Sequence, residues 1–215
     1  MPGRAKKATS PESGRKAAYV MRNRMALLRS TQEVLAIKGQ AVTIEDIAEH
    51  AEIAVSTVYK HFSDKDALIS ATMMWGFAEW LTAVQSIVDQ SDDPLEKLVI
   101  PMRLFARVKY THPNHAQNMV NFFGLLAEFV PHLQSELSDH IRELNKAKLL
   151  NCEEPDVAAR NMQAILSFAA INQVTNPSAK AKDADDSVRI ALSMLGISEA
   201  KARKLTESKL PELKA

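Results

Sequence analysis

The chain has 215 residues, of which 46% are hydrophobic and 25% are charged, and its 27 Lys and Arg residues nearly balance its 26 Asp and Glu residues. This composition favours globular domains over a disordered chain, and we expect no membrane span or secretory signal, because no apolar run reaches the roughly 18 residues that a span needs. With Cys152 as its single cysteine, the chain can form neither an intrachain disulfide nor a cysteine-based zinc cluster, so we expect a protein of the reducing cytoplasm.

Cationic residues are concentrated at the start of the chain. Residues 1–30 contain eight Lys or Arg residues and one acid, Glu12. Because Gly, Pro and Ser interrupt segment 1–17, we predict that it is a disordered basic arm. Such arms often follow DNA phosphates or the minor groove, although a solvated tail without a partner has the same composition. Of these cations, Arg15, Lys16, Arg22 and Arg24 precede the predicted first helix or lie in its first turns.

Apolar residues recur at helical spacing along the rest of the chain. Since we find no period-2 run bounded by turn residues, we predict an all-α fold. Residues 18–68 should form one domain and residues 69–215 a second, also helical. The predicted helices cover residues 18–37, 44–51, 55–61, 64–90, 94–111, 114–127, 131–149, 156–175 and 184–195, with a short helix after Ser198.

Capping signals delimit a compact unit near the start of the chain. Gly39 is typical of the residue that follows a helix and tolerates a positive φ. Thr43 and Asp46 have the spacing of a capping box at the start of the second helix. We expect Ser63 and Asp66 to form a second capping box at the start of the long fourth helix.

Two short helices between these caps are predicted to form a helix-turn-helix. Ile47 and Ala48 mark the buried face of the first, and Val58 and Phe62 mark that of the second. The other face of the second helix carries hydroxyls and cations but no carboxylate, which suits a DNA groove. A helical hairpin with an ordinary polar surface is the alternative. The residues of that face are Val55, Ser56, Thr57, Tyr59, Lys60 and His61.

Residues 24–70 resemble the DNA-binding domain of TetR-type transcriptional regulators, chiefly in the stretch TIEDIAEHAEIAVSTVYKHFSDKDALI that begins at Thr43. The resemblance implies an N-terminal three-helix helix-turn-helix domain and a C-terminal helical domain for ligand binding and dimerisation. The family usually has Gly where Glu52 stands, so a positive φ there would cost backbone strain. It usually has Ser where Ala54 stands, so the recognition helix loses a capping oxygen.

The resemblance also implies roles for individual residues. Thr43 and Lys65 would hold phosphates at helix starts, and Tyr59 and His61 would reach the DNA backbone. Lys60 donating to guanine is the most specific of these expectations. The candidates for base-edge contacts are Val55, Ser56, Thr57 and Lys60.

A recognition helix this short reads few base pairs, so such domains bind palindromic DNA as dimers. The resemblance implies a homodimer through the helices near residues 156–175 and 184–195. The alternative is that their apolar faces pack only within the monomer. The expected interface residues are Ala158, Met162, Ile165 and Ala169 on the first helix, and Val188, Ala191, Met194 and Leu195 on the second.

Soft and aromatic side chains are concentrated in the middle of the chain, where the family binds a small effector. We expect an apolar or aromatic effector, although a plain core would have the same composition. We expect no cofactor and no metal, because the spacing of the histidines matches no zinc site. The candidate pocket residues are Trp80, Met102, Phe105, Met119, Phe122, Phe123 and Phe168.

The function expected from the sequence is a DNA-binding transcriptional regulator, a repressor that a small-molecule effector releases from a palindromic operator. One alternative is a protein of this fold that binds DNA or a protein partner without an effector. The other is an all-α enzyme. We find no Gly-rich phosphate loop, nucleophile elbow or metal pair in the sequence, so we name no catalytic residue.

Overall fold

The computed structural model describes residues 11–126, 130–211 and 213. Over these residues the chain is helical without strands, as predicted, and it divides into two compact units between Met73 and Met74. Unit 1 holds α1 to α3 and the start of α4, and unit 2 holds the rest. The α-helices are α1 (Pro11–Lys38), α2 (Ile44–His50), α3 (Val55–His61), α4 (Lys65–Val88), α5 (Pro94–Ala106), α6 (Val108–Thr111), α7 (Pro113–Asn121), α8 (Phe123–Leu126), α9 (Val130–Lys146), α10 (Pro155–Thr175), α11 (Ala181–Leu192) and α12 (Glu199–Glu207).

The first helix begins earlier than the sequence predicts. It starts at Pro11 instead of residue 18, so it overlaps the second part of the predicted arm 1–17. Residues 1–10 lie outside the described part of the chain. Proline suits the first turn of a helix, because its missing N–H would have no intrahelical partner there. The predicted division into an arm, residues 1–17, and two domains, residues 18–68 and 69–215, stays a prediction.

Unit 1 is built around a small apolar core between α1, α2 and α3. The predicted core residues Ile47, Ala48, Val58 and Phe62 are all buried. Thr31 on α1 is also buried, and its hydroxyl donates to the Leu27 carbonyl one turn earlier, which satisfies the polar group inside the core. The short helices are therefore held by packing, since seven residues form too few hydrogen bonds to be stable alone.

Unit 2 is organised around α10, which packs against α5, α7, α9 and α11. One core cluster joins α5, α9, α10, α11 and α12, and another surrounds Trp80. Two predicted helices are each divided in the structure. The predicted helix 94–111 breaks after Ala106, and the predicted helix 114–127 breaks at Phe122.

The residues that we named for the dimer interface do not form an exposed face. Ala158, Met162 and Ala169 on α10 are buried in the core of unit 2, as are Val188 and Ala191 on α11. That part of the interface prediction is wrong, and the alternative, packing within the monomer, holds for these residues. Periodicity identified the apolar stripe correctly, but α5, α9 and α11 cover it from within the same chain. Ile165 and Met194 pack against the same cluster, and Leu195 is part of it.

By length and composition alone, α4 is apolar enough to cross a membrane. This finding differs from the expectation that no apolar run is long enough for a span. One face of the helix, including Trp80, Val84 and Ile87, lies in the core of unit 2. The core helix of a soluble protein can be equally long and apolar, so the length and composition of α4 are weak evidence for a membrane span.

Candidate nucleic-acid interface

The turn between α2 and α3 is a Schellman motif. The amide of Ile53 donates to the Ala48 carbonyl at 3.0 Å, and the amide of Glu52 donates to the Glu49 carbonyl at 3.1 Å. Glu52 occupies the left-handed position with φ 53°, where the sequence predicted strain. The turn satisfies the last carbonyls of α2 and leads the chain directly into α3.

The N-terminus of α2 is capped as the sequence predicted. The Thr43 hydroxyl accepts from the Asp46 amide at 3.1 Å, and the Asp46 carboxylate accepts from the Thr43 amide at 3.0 Å. Lys38 donates to the same carboxylate at 2.6 Å. The Lys38 ammonium and the Thr43 amide together lower the pKa of Asp46 to about 2.

The corresponding expectation for the fourth helix is wrong. Asp64, and not the pair Ser63 and Asp66, caps α4, because its carboxylate accepts from the Ala67 amide at 2.7 Å. The Ser63 hydroxyl donates to the other oxygen of Asp64 at 2.8 Å. These two donors lower the pKa of Asp64. A carboxylate is the better acceptor for a helix N-terminus, and α4 begins one residue later than we predicted.

The outward face of α3 has the predicted composition and exposure. Val58 is fully buried, whereas Tyr59 and Lys60 are exposed. Ser56 is also exposed, and Val55, Thr57 and His61 are half-buried. Ala54 has extended backbone angles at the N-cap and offers no side-chain acceptor, as predicted. The helix therefore presents hydroxyl, phenol, imidazole and ammonium groups on one side and no carboxylate.

The two residues predicted to hold phosphates lie beside each other. The Lys65 ammonium donates to the Val42 carbonyl at 3.2 Å, next to Thr43 in the chain. An ammonium carries three donors, so two remain for another acceptor. The Thr43 hydroxyl is exposed, and after accepting from Asp46 it still has a proton to donate.

Arg24 has a role that the sequence did not reveal. We had grouped it with the cations of the basic arm, yet its Nη1 donates to the His61 carbonyl at 3.2 Å. Its guanidinium carbon lies 4.2 Å from the centroid of the Phe62 ring. The partners are 37 and 38 positions away in the sequence, so no local pattern could have indicated the contact.

Residues 27–72 match the family described as bacterial regulatory proteins, tetR family. The matched segment holds the helix-turn-helix, so this part of the chain is similar to the DNA-binding domain of that family. It is similar to the HTH-type transcriptional repressor KstR2 of Mycobacterium tuberculosis, with 34% identity over 101 residues, 46% of this chain and 50% of that protein. The KstR2 of Mycolicibacterium smegmatis is 33% identical over 89 residues, 40% of this chain and 43% of that protein. The matches thus span about half the length of these relatives.

Solved structures share the fold over nearly the whole chain. The crystal structure of RolR with its ligand resorcinol has a TM-score of 0.72 and 23% identity, and it covers 92% of this chain and all of that one. The fatty acid degradation regulator FadR of Bacillus halodurans has a TM-score of 0.68 and 15% identity, covering 86% and 97%. The family whose model matches is described as regulatory, and the KstR2 relatives are transcriptional repressors.

The candidate pocket residues do not all lie together. Trp80 and Met119 share one buried cluster, and Phe105 packs against it with an edge-on contact to Trp80 at 5.7 Å. Met102 belongs to the other core cluster, and Phe122 is buried. Phe123 and Phe168 are exposed and contact each other, with ring centroids 6.4 Å apart.

Two further features concern polar chemistry in unit 2. The Trp80 indole nitrogen is buried without a hydrogen-bond partner in the described part of the chain. Burial, together with the neighbouring His112, lowers the pKa of His115 to about 4, so this imidazole is neutral near pH 7. Across residues 11–126, 130–211 and 213, His, Cys, Asp and Glu form no group of three that could hold a metal ion.

Proposed function

We propose that this chain is a TetR-family regulator, a homodimeric, cytoplasmic repressor that binds a palindromic operator in double-stranded DNA and is released by a small effector. The observation that carries the DNA-binding part is the exposed, carboxylate-free face of α3, which follows a Schellman turn and a capped α2. A two-helix unit of this kind places its second helix in the major groove. The similarity to KstR2, a transcriptional repressor, supports the same function.

Lys60 provides the sharpest test of base recognition. The operator is first selected from random duplexes by the full-length protein, and affinity is then measured by fluorescence anisotropy. Lys60→Gln should weaken operator binding by about 5- to 150-fold, because a donor to a base edge is worth about 1–3 kcal/mol. Lys201→Gln removes the same charge from an exposed position on α12 and should leave affinity nearly unchanged. A wild-type protein that binds operator and random DNA equally would refute the proposed function.

The homodimer is proposed through α10 and α11, but on the faces opposite to those predicted. Val157, Asn161, Ala164, Phe168 and Asn172 form an exposed stripe at helical spacing along α10. Phe168 is 65% exposed, and Ile190 on α11 is 57% exposed. A second copy of the chain would remove these apolar side chains from water, and the small residue Ala164 would let the helices approach closely.

Sedimentation of single-site variants tests this interface. Phe168→Glu should shift the wild-type dimer towards monomer, because it places a carboxylate in an apolar interface. Ile37→Glu is the control, since Ile37 on α1 is 80% exposed and lies outside the proposed interface. Equal dimerisation of both variants would exclude this face of α10.

The effector is proposed to bind beside Trp80, whose side chain is only 4% exposed. Phe77 stacks on the indole with centroids 5.9 Å apart, and Phe105 meets it edge-on. A buried N–H without an acceptor costs about 1–3 kcal/mol, so a planar ligand with an oxygen acceptor would gain both stacking and a hydrogen bond. The resorcinol complex of RolR supports a ligand of this chemistry.

A panel of phenols and aromatic ketones, screened by tryptophan fluorescence and then by operator release, tests the effector site. Trp80→Phe should weaken the best ligand by about tenfold or more, since it removes the N–H donor and part of the stacking surface. Trp75→Phe removes the other tryptophan and should leave affinity unchanged. Operator binding that no ligand in the panel releases would favour the alternative of a DNA-binding protein without an effector.

A further inference from the structure

Arg24 connects the first helix to the end of the recognition helix. His61 is the last residue of α3, and Phe62, with φ −138° and ψ 137°, is the extended residue that ends it. The last carbonyls of a helix have no intrahelical donor, and the donor that reaches the His61 carbonyl comes from the Arg24 guanidinium. The side chain thus meets a polar group that α3 cannot satisfy by itself.

The same guanidinium also covers an aromatic ring. Phe62 is buried, and the Arg24 guanidinium carbon lies 4.2 Å from its ring centroid. Only arginine combines a flat cationic surface for stacking with donors in the same plane. A lysine at position 24 would keep the charge but could not place a planar group over the ring and a donor on the carbonyl together.

These two contacts leave Arg24 poorly placed as a ligand for phosphate. Its side chain is half-buried, whereas Arg22, two residues earlier on α1, is exposed. The groups that Arg24 fixes, the His61 carbonyl and the Phe62 ring, directly follow the predicted DNA contacts Tyr59 and Lys60. A shift at this end of α3 would move both side chains relative to a base edge.

We propose that Arg24 is a positioning residue that sets the orientation of α3 against α1 and thereby determines operator specificity without contacting DNA. The inference rests on the proposed DNA-binding function. It assigns to Arg24 a role different from that of the basic arm, whose cations would add affinity for any duplex. The two roles differ in salt dependence, because each phosphate contact contributes to the slope of log K against log salt concentration.

The test measures anisotropy titrations of full-length Arg24→Gln and Arg24→Lys on operator and random DNA at several salt concentrations. Arg24→Gln should reduce the ratio of operator to random affinity by about tenfold or more, while the salt slope on random DNA stays at the wild-type value. Arg24→Lys should keep only part of the wild-type ratio of operator to random affinity. Arg22→Gln is the matched control, since it removes one charge from the same helix; as a cation beside the arm, it should weaken binding to operator and random DNA equally and leave their ratio intact.

Phe62→Leu completes the design by removing the ring. The double variant Arg24→Gln/Phe62→Leu should lose less specificity than the sum of the losses in the two single variants, because both residues act through one contact. A loss equal to that sum would show that the two residues act independently and would contradict the shared contact. Circular dichroism identifies variants that fail to fold, in which case Arg24→Lys, which keeps the charge and most of the stem, carries the test. A lower melting temperature with an unchanged specificity ratio would show a merely stabilising role and overturn the proposal.

Three results would overturn it in different ways. Equal weakening on both DNAs with a salt slope reduced by about one would identify Arg24 as a direct phosphate contact. A wild-type ratio of one would reject the proposed function itself and this inference with it. A specific wild-type protein whose Arg24→Gln variant is equally specific would reject only the role of Arg24.

Discussion

Replacing Arg103 with methionine should cost unit 2 much of its stability. The side chain lies inside α5 and is 4% exposed. Its Nε donates to Asp185 on α11 at 2.9 Å, and its Nη1 donates to the carbonyls of Leu205 and Ser208 at 3.2 and 2.9 Å. One guanidinium therefore joins α5 to α11 and to the end of α12.

The expected loss of unfolding free energy follows from the polar groups that Arg103→Met leaves buried with fewer partners. Arg103→Met keeps an apolar stem, but Asp185 then loses its ion pair with Arg103 and keeps the longer one with Arg107, at 3.6 Å, and two carbonyls lose a donor. Removing one partner of a buried pair costs about 3–5 kcal/mol, since the other charge stays buried. Because net stabilities are about 5–15 kcal/mol, this loss is a large fraction of the total.

Urea unfolding followed by tryptophan fluorescence measures the effect. Trp75 and Trp80 both belong to unit 2, so the signal reports on that unit. Arg203→Met is the control, because Arg203 pairs with Glu199 at the surface and should contribute less than about 1 kcal/mol. A loss for Arg103→Met no larger than that of the control would refute the reasoning.

Three further predictions concern pH and the helix-turn-helix. Burial of His115 lowers its pKa from 6.5 to about 4, so the unfolded chain binds the proton first and stability should fall as pH drops from about 6.5 to 4, by about 3 kcal/mol. Urea midpoints between pH 7.5 and 4 measure this slope, and a His115→Gln variant that keeps all of it would contradict the assignment. Ala54→Ser should stabilise α3 by about 1 kcal/mol, because it supplies an acceptor at an N-cap that already has extended backbone angles. Slower amide exchange in α3 would show this gain, and unchanged exchange would count against it. Glu52→Gly should raise the melting temperature slightly, since relief of about 1 kcal/mol of left-handed strain exceeds the added entropy of the unfolded chain. A lower melting temperature would show that the turn does not strain Glu52.

Features that depend on a few neighbouring residues could be predicted from the sequence. The cap formed by Thr43 and Asp46, the positive φ of Gly39 and that of Glu52 each depend on a few neighbouring residues, and the structure confirms all three. Asp64 shows the limit of such rules, because two acids near a helix start compete and only geometry selects the one that caps. The fold class followed from helical spacing along the chain, a signal that packing does not reverse.

The sequence by itself determined the helices of the DNA-binding unit and the chemistry of its exposed face, because both depend on residues within one or two helical turns. Tertiary structure alone decided which face of α10 is covered, since Met162 and Phe168 are both apolar and the neighbouring helices bury one and leave the other exposed. It also decided that Arg24 meets Phe62 rather than remaining among the cations of the arm. Contacts between residues far apart in the chain arise from packing, and packing has no local pattern from which to infer them.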